Sequence, residues 1–516
     1  MIGLQQMLKV LSLLLCLVIT GCLTDRSPPR KEVRLYFQSE PLFLDPRKGG
    51  ERRSALVLRQ LFEGLTRVGK NGLPELALAE SVSQSGLEYR FTLRPARWSN
   101  GQGVSAEDFA RAWKTILDPE FGSLYSFVFF FIKNAKKAYL KECSIDEVGI
   151  EAIDAHTLKV TLEHATPYFF EILAHPVFSP VCYTDNPQNV FNGPFVLKEH
   201  VMNERIVLEK NPNYWNADSA ASDRLIFSIV EDPQTAYNLF EAGELDWYGD
   251  PCGYIPMEIA DQLKESKKLR SKMVDVNSWM YCRVDNPKLA SPKIRQAIAS
   301  AINRKQICDT LLGNGERPAT TICSQFEPNN QHFIDNDPKT ALTLFKEGLS
   351  DLSIKEYPAI TLTFWQDPSW LCLAQALQQQ LQTALGIQVK LDGCDRATFF
   401  RRITAGQYEL MLCYWYNWYD DPYFVLDHLL STDNAYNGSG WEDSKYQRLM
   451  QLALSDSDKR EEYFRQMERL VMSHLPIIPL YCQTCKYAKA PTVNGEVFTS
   501  VGHVEFKWLE NQTQTS

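Results

Sequence analysis

The spacing of apolar positions divides the chain into alternating strand-like and helix-like segments, with no repeat period of the kind a solenoid shows. Val33-Arg34-Leu35-Tyr36-Phe37 reads as a strand and leads into Pro41-Leu42-Phe43-Leu44-Asp45-Pro46. Residues 56–65 predict a helix, with Leu56, Leu58, Leu61, Phe62 and Leu65 on a broad apolar face and Gly64 near its end. Tyr89, Phe91 and Leu93 alternate with Arg90 and Thr92 as a half-buried strand. Trp98-Ser99-Asn100-Gly101 is a turn, and Ser105 caps the next helix with Asp108 at capping-box spacing. Further on, Asp232-Pro233 and Ser291-Pro292 are cap and first-turn pairs that open helices, and Gly243 closes the first of these. Residues 371–385 predict a Gln-rich amphipathic helix stopped by Gly386, after which Ile387, Val389 and Leu391 alternate as a strand.

That αβ unit leads into residues 409–424, ELMLCYWYNWYDDPYF. The apolar start suits a buried strand. The Asn/Asp/Pro cluster suits a turn at its end, with Pro422 where a strand or helix would have to stop. Aromatic side chains beside carboxylates at a strand end are a common lining of small-molecule clefts. Taken alone, the stretch reads first as an ordinary core strand followed by a loop.

At the N-terminus, Lys9 precedes the apolar residues 10–19 and then Thr20-Gly21-Cys22, after which the chain turns polar. The run is shorter than the roughly 20 residues that span a bilayer, so residues 1–21 read as a cleaved signal peptide. Ile19-Thr20-Gly21-Cys22 resembles a bacterial lipobox. Lipid on Cys22 would then anchor the protein, with residues 22–31 as a linker.

Composition removes several classes. The chain has 516 residues, 44% of them hydrophobic and 23% charged, enough for two or three globular domains. A net charge of −9 with no Lys/Arg-rich run argues against a nucleic-acid partner. No P-loop, GxGxxG or GxSxG is present. The eight histidines lack HExxH or HxH spacing, and no cofactor is expected. Of 13 cysteines, only Cys482 and Cys485 form a local CxxC pair, which reads as structural or, as an alternative, as the dithiol of a thiol-disulfide enzyme. Residues 125–131, YSFVFFF, read as a buried apolar segment.

A set of short signals in fixed order carries a resemblance. They are Leu44-Asp45-Pro46, Phe62-Glu63-Gly64-Leu65, Leu78-Ala79-Glu80-Ser81, Trp98-Ser99-Asn100-Gly101, Ser105-Ala106-Glu107-Asp108 and Asn192-Gly193-Pro194-Phe195. They continue through residues 209–215, Lys293-Ile294-Arg295-Gln296-Ala297, Ala301-Ile302-Asn303-Arg304 and Pro476-Ile477-Ile478-Pro479-Leu480-Tyr481. In this order they resemble the extracytoplasmic solute-binding proteins of bacterial ABC importers, in the branch with oligopeptide-, dipeptide- and nickel-binding proteins. The resemblance implies an α/β, two-lobed periplasmic-binding-protein fold with a cleft between lobes and an extra inserted domain. Lobe 1 would be residues 32–65, 184–283 and 478–516, the inserted domain 66–183, and lobe 2 284–477.

It also implies a non-enzymatic receptor, monomeric and lipid-anchored on the periplasmic side of the envelope. Such a receptor delivers oligopeptides to a membrane permease driven by separate ATPase subunits. Cell-wall peptides or a metal chelate are alternative ligands, and a surface lipoprotein that has lost transport is another reading. Mapped onto this sequence, Trp415, Tyr416, Asn417, Trp418, Asp420 and Asp421 would contact ligand from lobe 2, and Gly49, Gly50, Glu51 and Arg52 from lobe 1. Peptide-binding relatives carry an Asp for the ligand's α-amine three residues after the Trp that Trp415 matches. Here that position is Trp418, so either Asp420, Asp421 or another acid substitutes, or no free amine is held there.

Overall fold

The structure is a computed structural model and describes residues 31–183, 189–326, 332–414, 416–428, 430–431 and 437–512. The leader, Cys22 and Trp415 lie outside these residues. Among the described residues no helix is long and apolar enough to cross a membrane.

Three sheets organise the chain. β1 (Glu32–Phe37) lies parallel to a later strand, and β2 (Ala79–Ser85), β3 (Glu88–Leu93), β4 (Ile150–Asp154) and β5 (Thr157–Thr161) form an antiparallel sheet in the order β2-β3-β5-β4. This second sheet falls within residues 66–183, and β3 buries alternate residues, Tyr89, Phe91 and Leu93, as its pattern predicts. β6 (Phe195–Val201), β7 (Arg205–Lys210) and β8 (Arg224–Ile229) join β1 in the order β1-β8-β7-β6, with the β1/β8 pair parallel. That four-stranded sheet gathers strands from residues 32–65 and 184–283.

The third sheet has seven strands, one of them the short Arg317–Pro318, which pairs off the main path. The other six are β9 (Trp247–Gly249), β10 (Arg270–Cys282), β11 (Ile360–Trp365), β12 (Val389–Cys394), β13 (Leu410–Tyr414) and β14 (Ile477–Lys489), in the order β9-β14-β10-β13-β11-β12. β11, β12 and β13 pair in parallel, with helices between them, and mark the second lobe. β10 and β14 are antiparallel partners of 13 residues each. One end of β14 pairs with β9, while the far end of β10 pairs with β13. Between them the register breaks at Met273/Asn277.

Two helix boundaries differ from the sequence expectation. The helix expected over 56–65 is Arg52–Leu61, and Phe62 is already extended at φ −126° and ψ 152°. Glu51 starts it by accepting the Ser54 and Arg53 N–H groups at 2.6 and 2.9 Å. It ends where Asn192 clamps the Glu63 backbone, accepting its N–H at 3.1 Å and donating Nδ2 to its carbonyl at 2.9 Å. Pro422 does not end an element. It is the first residue of the helix Pro422–His428, a position where a missing N–H costs no intrahelical bond.

Several sequence signals meet in space. Glu63, only 4% exposed, accepts the Tyr214 hydroxyl at 2.6 Å and the Trp215 Nε1–H, and lies 3.3 Å from Arg67 and 3.8 Å from Lys507. Arg304 is wholly buried. It donates to the carbonyls of Pro479 at 2.8 Å and Ala299 at 2.9 Å and pairs with Asp335 at 2.7 Å, while burial lowers its pKa. Arg304→Met keeps the apolar stem but orphans those acceptors, and we expect a loss of about 2–3 kcal/mol in chemical denaturation. A change below about 1 kcal/mol would show the carbonyls to be satisfied without it.

Candidate functional site

β13 ends at Tyr414, and the following residues leave lobe 2 and reach the other parts of the molecule one after another. Tyr416 accepts a hydrogen bond of 3.0 Å from Arg52, whose guanidinium also lies 4.2 Å from the Tyr416 ring centroid. Asn417 donates Nδ2 to the Asp275 carbonyl at 3.1 Å, where β10 breaks register. Trp418 stacks on His175 of the inserted domain at 4.1 Å, with Tyr125 and Phe127 at 5.4 and 6.0 Å. Tyr419 lies flat on Tyr168 at 3.8 Å with 2° between the planes. The Asp420 N–H donates to Glu171 Oε1 at 2.9 Å.

Five successive residues therefore tie the end of β13 to the helix at Arg52, to β10 and to residues 168–175. Asp421 has a different task. Both its oxygens accept from Arg460 at 2.8 Å, and Oδ1 also accepts the Tyr423 N–H at 2.8 Å, which starts the helix at Pro422.

The lobe 1 candidates sit opposite. Arg52 donates to Asp250 at 3.0 Å and to Tyr416 at 3.0 Å. Burial works against its charge, but Tyr416 and Asp250 outweigh that and raise its pKa. Gly50 packs so closely on Tyr125 that a Cβ would come within 2.5 Å of the ring, and a Cβ on Gly49 would strike Leu58. Glu51 is committed to capping the helix. Of the four, Arg52 meets the lobe 2 loop directly and Gly50 meets it through Tyr125.

Sequence reasoning did not find the partners supplied by the inserted domain. Tyr168, Glu171 and His175 lie in a segment with no motif, and Glu171 is 249 residues from Asp420. Tyr125 and Phe127 belong to the apolar run at 125–131, whose residues Val128, Phe129 and Phe131 are buried as expected. Two of the scattered histidines also converge here. His175 and His503 lie 6.2 Å apart, and burial together with Arg59 depresses both pKa values well below the usual histidine range. Burial pushes the Glu171 carboxyl up to about 7; the Asp420 N–H opposes this, while the Asp420 and Asp421 carboxylates add to it.

Cys482 and Cys485 lie within β14 rather than at a strand-to-helix junction, and both are buried. Their three-residue offset along a strand puts them on opposite faces, and burial pushes the Cys485 thiol up to about 12. Among the described residues, no three His, Cys, Asp or Glu side chains are placed to hold a metal ion.

Comparison with known proteins agrees with this architecture. The family model for bacterial extracellular solute-binding proteins, family 5 middle, matches residues 73–437. The chain is 32% identical to the dipeptide-binding protein DppE of Bacillus subtilis, covering 94% of this chain and 93% of that one. It is 29% identical to the oligopeptide-binding protein OppA of the same organism, covering 93% of each. Among solved structures, the Escherichia coli murein tripeptide binding protein MppA superposes with a TM-score of 0.82 at 24% identity, over 94% of this chain and 99% of that one. The unliganded open form of MppA gives 0.73 over 94% and 98%. A two-lobed periplasmic-binding-protein fold with an inserted domain, matched along most of its length by the family model, places this chain in family 5 of the bacterial extracellular solute-binding proteins.

Proposed function

We propose that this chain is the substrate-binding component of an ABC importer, capturing oligopeptides between its lobes and delivering them to a membrane permease with separate ATPase subunits. One observation carries the reading: the loop 416–421 leaves lobe 2 and engages lobe 1, the hinge strand and the inserted domain through successive residues. Such a loop reports whether the lobes are closed, and ligand favours closure to the extent that it binds the closed form better. The names of the relatives support peptide as the ligand. A monomer tethered by lipid on Cys22, on the periplasmic side of the envelope, suits delivery to a permease.

The lobes divide as residues 32–65, 184–283 and 478–516 against 284–477, with 66–183 inserted. The hinge lies where β10 and β14 lose register. Tyr416, Asn417, Trp418 and Asp420 face the cleft from lobe 2, and Gly49, Gly50 and Arg52 from lobe 1; Trp415, outside the described residues, is assigned to the lobe 2 set from the sequence alone. Asp421 and Glu51 support these positions through the Arg460 pair and the helix cap.

Both carboxylates of the loop already have side-chain partners. Asp421 is taken by Arg460, and Asp420 accepts the Gln325 side chain at 2.8 Å. Trp418 is stacked on a neutral imidazole. The ligand's amino end is therefore not gripped as an ammonium by this loop. Mass spectrometry of material co-purifying with the protein should show peptides. Tri- to pentapeptides and their N-acetylated forms should raise the melting temperature equally. A shift that acetylation abolishes would overturn the account of the amino end, and a protein that carries and binds no peptide would overturn the function.

A further inference from the structure

Closure brings carboxyl groups together at one point of the lobe boundary. Glu171, on the short helix Phe169–Ile172 of the inserted domain, receives the Asp420 N–H at 2.9 Å, and the carboxylates of Asp420 and Asp421 act on it from lobe 2. Arg460 is bound bidentately to Asp421, and Asp275, on the hinge strand beside Asp420, is influenced by Arg317. Tyr168 from the same segment is stacked on Tyr419. His175 and His503, next to Trp418, are held neutral by burial and by Arg59, which is paired with Glu505 at 2.9 Å.

We propose that Glu171 is a positioning residue for lobe closure: its carboxyl group receives the Asp420 N–H across the boundary while facing the acids of the same loop, so that closing takes up a proton there. The inference rests on the receptor reading, since it describes the closing motion such a receptor uses. The direction follows from linkage. Opening would part Glu171 from the loop and expose it to water, which would return its pKa towards the ordinary carboxylate range, while in this closed arrangement burial first and then the neighbouring carboxylates push it up to about 7. A group whose pKa is raised on closing favours the closed form when protonated. Closure therefore strengthens by up to about tenfold per pH unit as pH falls from 7 towards 4.5, and this contribution is absent above 7. His175 and His503 act in the opposite direction, since they are favoured neutral in the closed form and protonate more readily when open. Their effect is common to wild type and a Glu171 variant and cancels in a ratio.

The test is amide hydrogen exchange of the ligand-free full chain, following peptides that cover residues 416–421, in wild type, Glu171→Gln and Glu171→Ala. Glutamine keeps an acceptor oxygen and has no charge to titrate. The ratio of wild-type to Glu171→Gln protection should fall by about tenfold or more between pH 5.5 and 7.5. Glu171→Ala should be less protected than Glu171→Gln at every pH. A ratio constant within about twofold would overturn the proposal, as would equal protection in the Gln and Ala variants. Protection of β10 amides verifies the fold. Asp420→Asn serves as a second variant that leaves Glu171 in place: it should move the wild-type pH midpoint downward, and an unmoved midpoint also counts against the proposal. No peptide is added, so failure here leaves peptide capture untouched, while failure of capture leaves this exchange result standing.

Discussion

Glu63→Ala is expected to destabilise the first lobe by about 3–5 kcal/mol, the range for breaking a buried ion pair from one side. Its carboxylate is the acceptor for Tyr214 and Trp215 and the counter-charge for Arg67 and Lys507, whose side chains are 11% and 4% exposed. Burial already lowers the Lys507 pKa with Glu63 in place, so removing the carboxylate leaves an ammonium attracted by Glu505 and Glu75 and repelled by Arg67. Glu63→Gln should cost less, because the amide oxygen still accepts the Tyr214 hydroxyl while the charge is lost. Chemical denaturation followed by hydrogen exchange in β1, β7 and β8 localises the effect. If both variants unfold within about 1 kcal/mol of wild type, the network contributes no net stability and the two cations relax to other partners.

This network explains why the signals Phe62-Glu63-Gly64-Leu65 and Asn213-Tyr214-Trp215 were informative in the sequence. Each is half of one contact, joined by Asn192 at the Glu63 backbone. The strands and most helix caps were legible for local reasons. Asp232, Ser291 and the Ser105/Asp108 pair all make the cap contacts their residue types predict. The helix Arg52–Leu61 was displaced by four residues in the expectation because Phe62 and Leu65 are apolar and buried, and burial alone does not reveal that tertiary hydrogen bonds have straightened the backbone. Pro422 misled in the opposite sense, because the same residue that stops a helix also suits its first turn.

The candidate site was half legible. An apolar run identified β13, and the aromatic and acidic residues after it marked the loop. What the loop touches was hidden, since His175, Tyr168 and Glu171 come from another part of the chain and carry no pattern of their own. Asp420 and Asp421 look interchangeable in sequence. In the structure one faces the inserted domain and the other is locked to Arg460 on its own lobe.

Trp418→Ala is expected to shift the ligand-free protein towards the open form and to weaken peptide binding by about 30-fold or more, because truncating a central interface Trp commonly costs at least about 2 kcal/mol. The indole meets His175, Tyr125 and Phe127 together, and its removal leaves those rings facing a gap that closure no longer fills. The loss acts through the closed state alone, so apparent affinity falls by the factor by which that state is depopulated. Trp418→Phe retains a ring against His175 and should lie between the two. Small-angle scattering of the ligand-free proteins gives the first readout, a larger radius of gyration for Trp418→Ala, and titration with the peptide found to co-purify with wild type gives the second. An unchanged radius together with unchanged affinity would mean that Arg52–Tyr416, Tyr168–Tyr419 and Glu171–Asp420 hold the lobes without the indole, and would move the determinant of closure away from Trp418.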